Sequence, residues 1–248
     1  MSNDFTDRQF WKAYWESKPN LAIPIKKNYV FHKLLKQIIM NNDTKSAIEL
    51  GGFPGYYALF LKKYFNINST LFDYYIDGGI LQKVLAKNGL SESDVKIIEA
   101  DVFNYKPGKQ YDLVLSCGLI EHFEDTKDII SRHVQFLAPN GTLFITLPNF
   151  TGVNGWVQRK FDRSNYEKHN IRSMDPEMLA DVCKALGLKE VRSMYYGNFS
   201  VWLENKSDKS VLVKLIVRSM WIAGKSLTTL FPFNSKLLSP YIVVSGKR

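Results

Sequence analysis

Short apolar runs separated by amphipathic stretches set the pattern of the first 150 residues. Runs at residues 46–50, 69–72, 95–98, 111–115 and 142–147 have the length and side-chain types of buried strands. Most are separated by stretches with apolar side chains at helical spacing, at residues 57–64, 80–88 and 127–137. Strands alternating with helices argue for a parallel sheet covered on both faces, because each crossover helix must bury its apolar stripe against the sheet. Ahead of this region lie two amphipathic segments, residues 5–16 with Phe10, Trp11, Tyr14 and Trp15, and residues 29–40. They read as leading helices that cover the sheet or a site. A further helix is expected at residues 176–186.

In an open sheet of this kind the ligand lies at the carboxyl ends of the strands, so the residues that end each run carry the chemistry. The first run leads into Glu49, Gly51, Gly52 and Gly55, the second into Asp73 and the third into Asp101. The fourth leads into Cys117, Gly118, Glu121 and His122, and the fifth into Pro148 and Asn149. Acids follow the second and third runs, and the glycine turn lacks the lysine of a GxxxxGK[ST] phosphate loop. Such ends suit hydroxyl, amino and cationic groups better than phosphate.

Bulk properties narrow the classes. With 248 residues and 45% apolar side chains the chain can bury one substantial α/β core, and a single domain is expected. Its parts are a helical cover at 1–44, a core at 45–150, a lid insertion at 150–175 and an inserted helix within 205–235. Cys117 and Cys183 form no CxxC or paired Cys/His spacing, which argues against a disulfide framework and a zinc site, and no metal site is expected. The polar start MSNDFTDRQFW lacks the order of a secretion signal, and no run of about 20 apolar residues occurs. A cytoplasmic location follows as an expectation.

Charge changes this picture in one place. Residues 1–157 carry 17 basic and 16 acidic side chains, whereas residues 158–248 carry 16 and 8, so nearly all of the net charge of +9 lies in the second part. An anionic partner is one reading and a solvated surface is the other.

The segments "AIELGGFPG", "STLFDYY", "IIEADVF", "YDLVLSCGLIEHFED" and "PNGTLFITLPN" together resemble the class I S-adenosylmethionine-dependent methyltransferases, over about residues 45–150. "FWKAYWESK" and "SPYIVVSGKR" resemble bacterial small-molecule members less specifically. The resemblance implies a Rossmann-like doubly wound sheet of about seven strands, mostly parallel with the last antiparallel, plus N-terminal helices and helical lid insertions. It also implies S-adenosyl-L-methionine as cofactor. Gly51, Gly52 and Gly55 would let backbone approach its aminoacyl part, with Glu49 at the base of the turn. Asp73 would accept from the ribose hydroxyls, Asp101 and the Val102 amide would meet the adenine, and Cys117 completes the set. Any one of these acids can instead cap a helix or form a turn. Phe53 departs from the family pattern, which usually has glycine there; Pro54 biases it toward an extended conformation that would direct its ring into the N-terminal helices.

Methyl transfer to a hydroxyl needs a base, and His169 and His122 are the candidates, as imidazoles with an unperturbed pKa near the working pH. The inserted helix carries Lys214, Arg218 and Lys225 at spacings of four and seven, a basic stripe on an apolar helix that would suit an anionic membrane surface, a lipid-linked acceptor, core packing or a dimer. The expected function is methylation of oxygen or nitrogen in a small molecule, such as a sugar, glycan precursor or secondary metabolite. An RNA methyltransferase and a non-catalytic cofactor-binding module remain alternatives. Against a nucleic-acid partner, the fourth run ends in "SCGL" rather than Asn/Asp-Pro-Pro-aromatic, and no Pro-Cys dipeptide occurs. Oligomeric state is not legible.

Overall fold

The computed structural model describes residues 5–231 and 233–248. Seven strands form one sheet: β1 (Ser46–Leu50), β2 (Asn68–Asp73), β3 (Val95–Glu99), β4 (Tyr111–Cys117), β5 (Leu137–Pro148), β6 (Lys189–Tyr196) and β7 (Tyr241–Lys247). Their order is β3-β2-β1-β4-β5-β7-β6. The first five are parallel, and β7 runs antiparallel to both β5 and β6. The strand order reverses at β1 and β4, the place where such sheets open a crevice for a ligand. The helices are α1 (Arg8–Glu16), α2 (His32–Asn42), α3 (Tyr56–Phe65), α4 (Gly78–Lys87), α5 (Thr126–Gln135), α6 (Val153–Phe161), α7 (Arg163–Tyr166), α8 (Pro176–Ala185) and α9 (Val211–Leu230).

Both faces of the sheet are covered, which is why β1 is buried at every position instead of alternating. Side chains of β4 divide between two cores: Leu113 and Leu115 join Leu59, Leu61 and Leu85 on one face, and Val114 joins Ile129, Ile130 and Leu179 on the other. Each such fully buried aliphatic contributes about 1.5–3 kcal/mol through area removed from water. A third, smaller cluster joins Val157 of α6 and Val217 of α9 through Phe199, Val201 and Leu203. Helix starts follow local chemistry. The Asp77 carboxylate accepts from Ile80 N at 2.8 Å to begin α4, and Asp175 accepts from Glu177 N ahead of Pro176 in α8.

One expectation needs correction. The helix expected through residue 137 ends at Gln135, and β5 begins at Leu137, well before Thr142. Leu137 pairs with Tyr111, whose N–H donates to Phe136 O at 2.8 Å, and this pairing outweighs the helical pattern of the apolar side chains. The insertion at 150–175 is helical, as expected: it contains α6, α7 and a 3-10 turn at Ile171–Ser173.

Candidate active site

The glycine turn leaves β1 as backbone packed against its neighbours. Gly51 has φ +61°, and a β-carbon there would lie 2.5 Å from Leu119 Cδ1. At Gly52 it would lie 2.4 Å from Glu49 Cγ, so a side chain at either position displaces its surroundings. Phe53 is buried, and its ring meets Trp15 of α1 edge-on with centroids 5.3 Å apart, the direction expected for it. The departure from glycine is therefore absorbed by the N-terminal helix.

Each acid of this half is held by backbone donors. Glu49 is buried and accepts from Ala58 N at 2.7 Å, at the start of α3. Burial pushes its carboxyl up to about 8, although the N–H groups of Ala58 and Tyr57 pull the other way. Asp73 accepts from Phe53 N at 2.8 Å and from Tyr75 N at 3.1 Å, which ties the end of β2 to the glycine turn. Burial raises it to about 6. Asp101, two residues beyond β3, accepts from Phe103 N at 2.9 Å and Asn104 Nδ2 at 2.7 Å. The turn-forming role is thus real for Asp101, and capping is real for Glu49. Carboxylate oxygens still have lone pairs to spare for a ligand.

These groups line one cleft of about 460 Å³, together with Val102 and Cys117. Its far wall comes from β4, β5 and the insertion, through Glu121, His122, Phe150 and His169, and its roof from α1. The roof is pinned at both ends. Phe5 N donates to His122 O at 3.0 Å, and the Tyr14 hydroxyl donates to Glu204 Oε1 at 2.7 Å, while Lys18 pairs with the same carboxylate. Trp11 stands edge-on to the His122 ring at 5.0 Å.

The two candidate histidines, 47 residues apart in the chain, meet with ring centroids 4.7 Å apart and planes tilted by 48°. His122 Nδ1 lies 3.0 Å from Lys168 O, and His169 Nδ1 lies 2.7 Å from Asn165 O. A carbonyl can only accept, so Nδ1 carries the hydrogen in each neutral ring and Nε2 presents a lone pair. The expectation that His122 titrates near neutrality is corrected: burial, and then the neighbouring His169, lower it to about 3. His169 is less buried and is lowered by the same cause. Beside them stands Glu121, 1% exposed, with Oε2 lacking any hydrogen-bond partner and its carboxyl raised by burial to about 8. One ligand atom from each of the three lies within 4.8 Å of the others. Glu121 was legible as one of the residues that end the fourth run on the ligand side of the sheet; that its Oε2 stands there without a partner was not. Trp202 and Glu204 were not singled out at all, because nothing local marks the segment after β6 as part of the wall.

A profile of the family described as "Methyltransferase domain" matches residues 26–193, and the chain belongs to that family. Among curated relatives, it is 30% identical over 119 residues to the ubiquinone biosynthesis O-methyltransferase of Rickettsia canadensis (strain McKiel), 42% of this chain and 49% of that protein. It is also 30% identical over 124 residues to the malonyl-[acyl-carrier protein] O-methyltransferase of Priestia megaterium (strain DSM 319 / IMG 1521), 48% of this chain and 44% of that protein. The chain thus spans about half the length of the curated relatives it matches. Among solved structures, phosphoethanolamine N-methyltransferase 2 of Haemonchus contortus, in complex with phosphomonomethylethanolamine and S-adenosylhomocysteine, matches with a TM-score of 0.59 at 14% identity, covering 90% of this chain and 56% of that one. A methyltransferase from Archaeoglobus fulgidus matches with a TM-score of 0.57 at 16% identity, over 90% and 95%. At these identities the two structures show a shared fold, the seven-stranded Rossmann-like sheet with its antiparallel β7.

Proposed function

We propose that this chain is an S-adenosylmethionine-dependent methyltransferase that methylates a hydroxyl oxygen of a small, partly apolar acceptor. One observation carries the oxygen assignment: two neutral imidazoles, each left with a free Nε2, line the cleft with Glu121, one ligand atom of each of the three lying within 4.8 Å of the others and Glu121 Oε2 unpartnered, a setting in which a hydroxyl can lose its proton. The names of the curated relatives, both O-methyltransferases, support it.

The cofactor's chemistry fits the residues present. Gly51 and Gly52 expose backbone where a side chain would intrude, Asp73 and Asp101 offer carboxylate oxygens to hydroxyl and amino groups, and Glu49 places an acid near the cationic end. S-adenosylmethionine supplies an electrophilic methyl group on a sulfonium, and much of the rate comes from holding the acceptor in line with it. His169 takes the acceptor's proton at Nε2, with Asn165 O holding the tautomer. His122 is too weak a base and instead braces the His169 ring, while Glu121 gives the acceptor a polar contact at Oε2. Trp11, Phe150 and α1 keep water from this end of the cleft.

A second reading rests on the same three side chains, since two imidazoles and a carboxylate are also a donor set for a divalent cation. Screening hydroxylated and amine-bearing acceptor pools with methyl-labelled cofactor tests both. Label entering only hydroxylated acceptors, unaffected by chelator, is the expected result. Label in amines overturns the oxygen assignment, and chelator-sensitive transfer restored by a divalent cation assigns the trio to a metal. No transfer together with no calorimetric binding of the cofactor overturns the function.

A further inference from the structure

Helix α9 is seated on the fold by one stripe. Val217 and Thr228 are buried, and Val213 and Met220 pack on the small cluster with Phe199. Gly224 completes the stripe, where a β-carbon would lie 2.2 Å from Phe199 Cδ1, and Thr228 Oγ1 accepts from Phe199 N at 3.1 Å. The opposite face is apolar and uncovered: Leu212, Leu215, Ile216, Ile222, Leu227 and Leu230 are all exposed, Leu230 at 74%. Apolar exposure continues past the helix at Phe231, Phe233 and Leu237. At 3.6 residues per turn, Lys214, Arg218 and Lys225 fall within about 40° of one another, on one flank between the seated stripe and the bare face. From residue 209 to residue 248 the chain has seven basic side chains and no acidic one.

We propose that α9 docks on an anionic lipid bilayer, lying in the interface with its outer apolar face among the acyl chains and its basic flank at the headgroups. The pattern is that of an in-plane helix, apolar on one face with Lys and Arg along its margin. Among the described residues no helix is long and apolar enough to cross a membrane, so α9 rests on the surface. Charge selects this occupant over a second copy. A two-fold pairing of α9 would bring like-charged flanks together in a segment without one carboxylate to neutralise them, whereas an anionic leaflet attracts each basic side chain. This docking stands apart from the methyltransferase reading and does not depend on it.

Flotation of the full chain tests it, with vesicles of phosphatidylcholine alone and with vesicles in which about one-third of the lipid is phosphatidylglycerol. The bound fraction is expected to rise about 10-fold or more on the anionic vesicles and to fall with added salt. Lys214→Gln with Arg218→Gln, on the exposed flank, should remove most of that gain, and Leu215→Ser with Ile222→Ser should weaken binding to both vesicles. Each variant should keep the wild-type melting temperature and cofactor affinity. Equal binding to neutral and anionic vesicles, or none to either, overturns the proposal. A dimer seen by light scattering and dissolved by Leu215→Ser with Ile222→Ser overturns it in favour of a second copy.

Discussion

The two ends of the cleft treat their polar groups in opposite ways. At the glycine-turn end, Glu49, Asp73 and Asp101 each accept from backbone N–H groups, those of α3, of the glycine turn and of the turn after β3 respectively, so every acid is held by fixed backbone donors. At the other end, Glu121 Oε2 has no partner, and the histidine pair is assembled from the end of β4 and an insertion 47 residues later. The first end is preorganised around fixed hydrogen bonds. The second retains unsatisfied acceptors, which a buried site tolerates when a ligand completes them. Under the proposed function, the difference means that binding and proton transfer are built by different means, and substitutions should separate them.

The largest effect is expected at the unsatisfied end. His169→Ala should lower turnover by about 100-fold or more while calorimetry shows cofactor affinity nearly unchanged. The activity should lack a histidine limb near pH 6.5, because burial moves His169 below its ordinary value. Wild-type turnover in the variant would collapse the contrast between the two ends. Next comes Asp73→Asn, expected to weaken cofactor binding by about 10- to 100-fold through lost charge-assisted bonds, with a far smaller effect on turnover at saturation. An unchanged dissociation constant would show that the Asp73 carboxylate serves only Phe53 and Tyr75.

Gly52→Ala should destabilise the fold by about 1–3 kcal/mol, since its β-carbon would overlap Glu49 Cγ, and it should reduce cofactor binding as well. A melting temperature equal to wild type would mean that the turn is softer than its contacts imply. The smallest effect is a pH slope. Between the ordinary value of 4.5 and about 8, the unfolded chain releases the Glu49 proton while the folded chain keeps it, so stability falls as pH rises through that window. Glu121 has the same sign. His122 has the opposite sign and adds stability as pH rises from about 3 to 6.5. Together these three groups set a maximum near pH 4.5 in thermal melts, with a fall toward pH 8 that is shallower in Glu49→Gln.

Much of this architecture was legible along the chain. The five apolar runs lie within β1 to β5, because parallel strands buried on both faces must be continuously apolar. The runs also located the strand ends, and with them Asp73, Asp101 and the glycine turn. Boundaries were less legible where long-range pairing competes with local pattern, as at Leu137. The orientation of Phe53 was readable from Pro54, but its partner Trp15 was not, since the contact spans 38 residues.

Local sequence therefore determined which residues lie at the carboxyl ends of the strands, since alternation of apolar runs and amphipathic helices is a short-range property of side-chain burial. Tertiary structure alone decided that His122, His169 and Glu121 share one wall, that α1 roofs them, and that the apolar outer face of α9 is left bare. It also decided their protonation, because a pKa depends on how much water packing removes, and no side chain carries that information by itself.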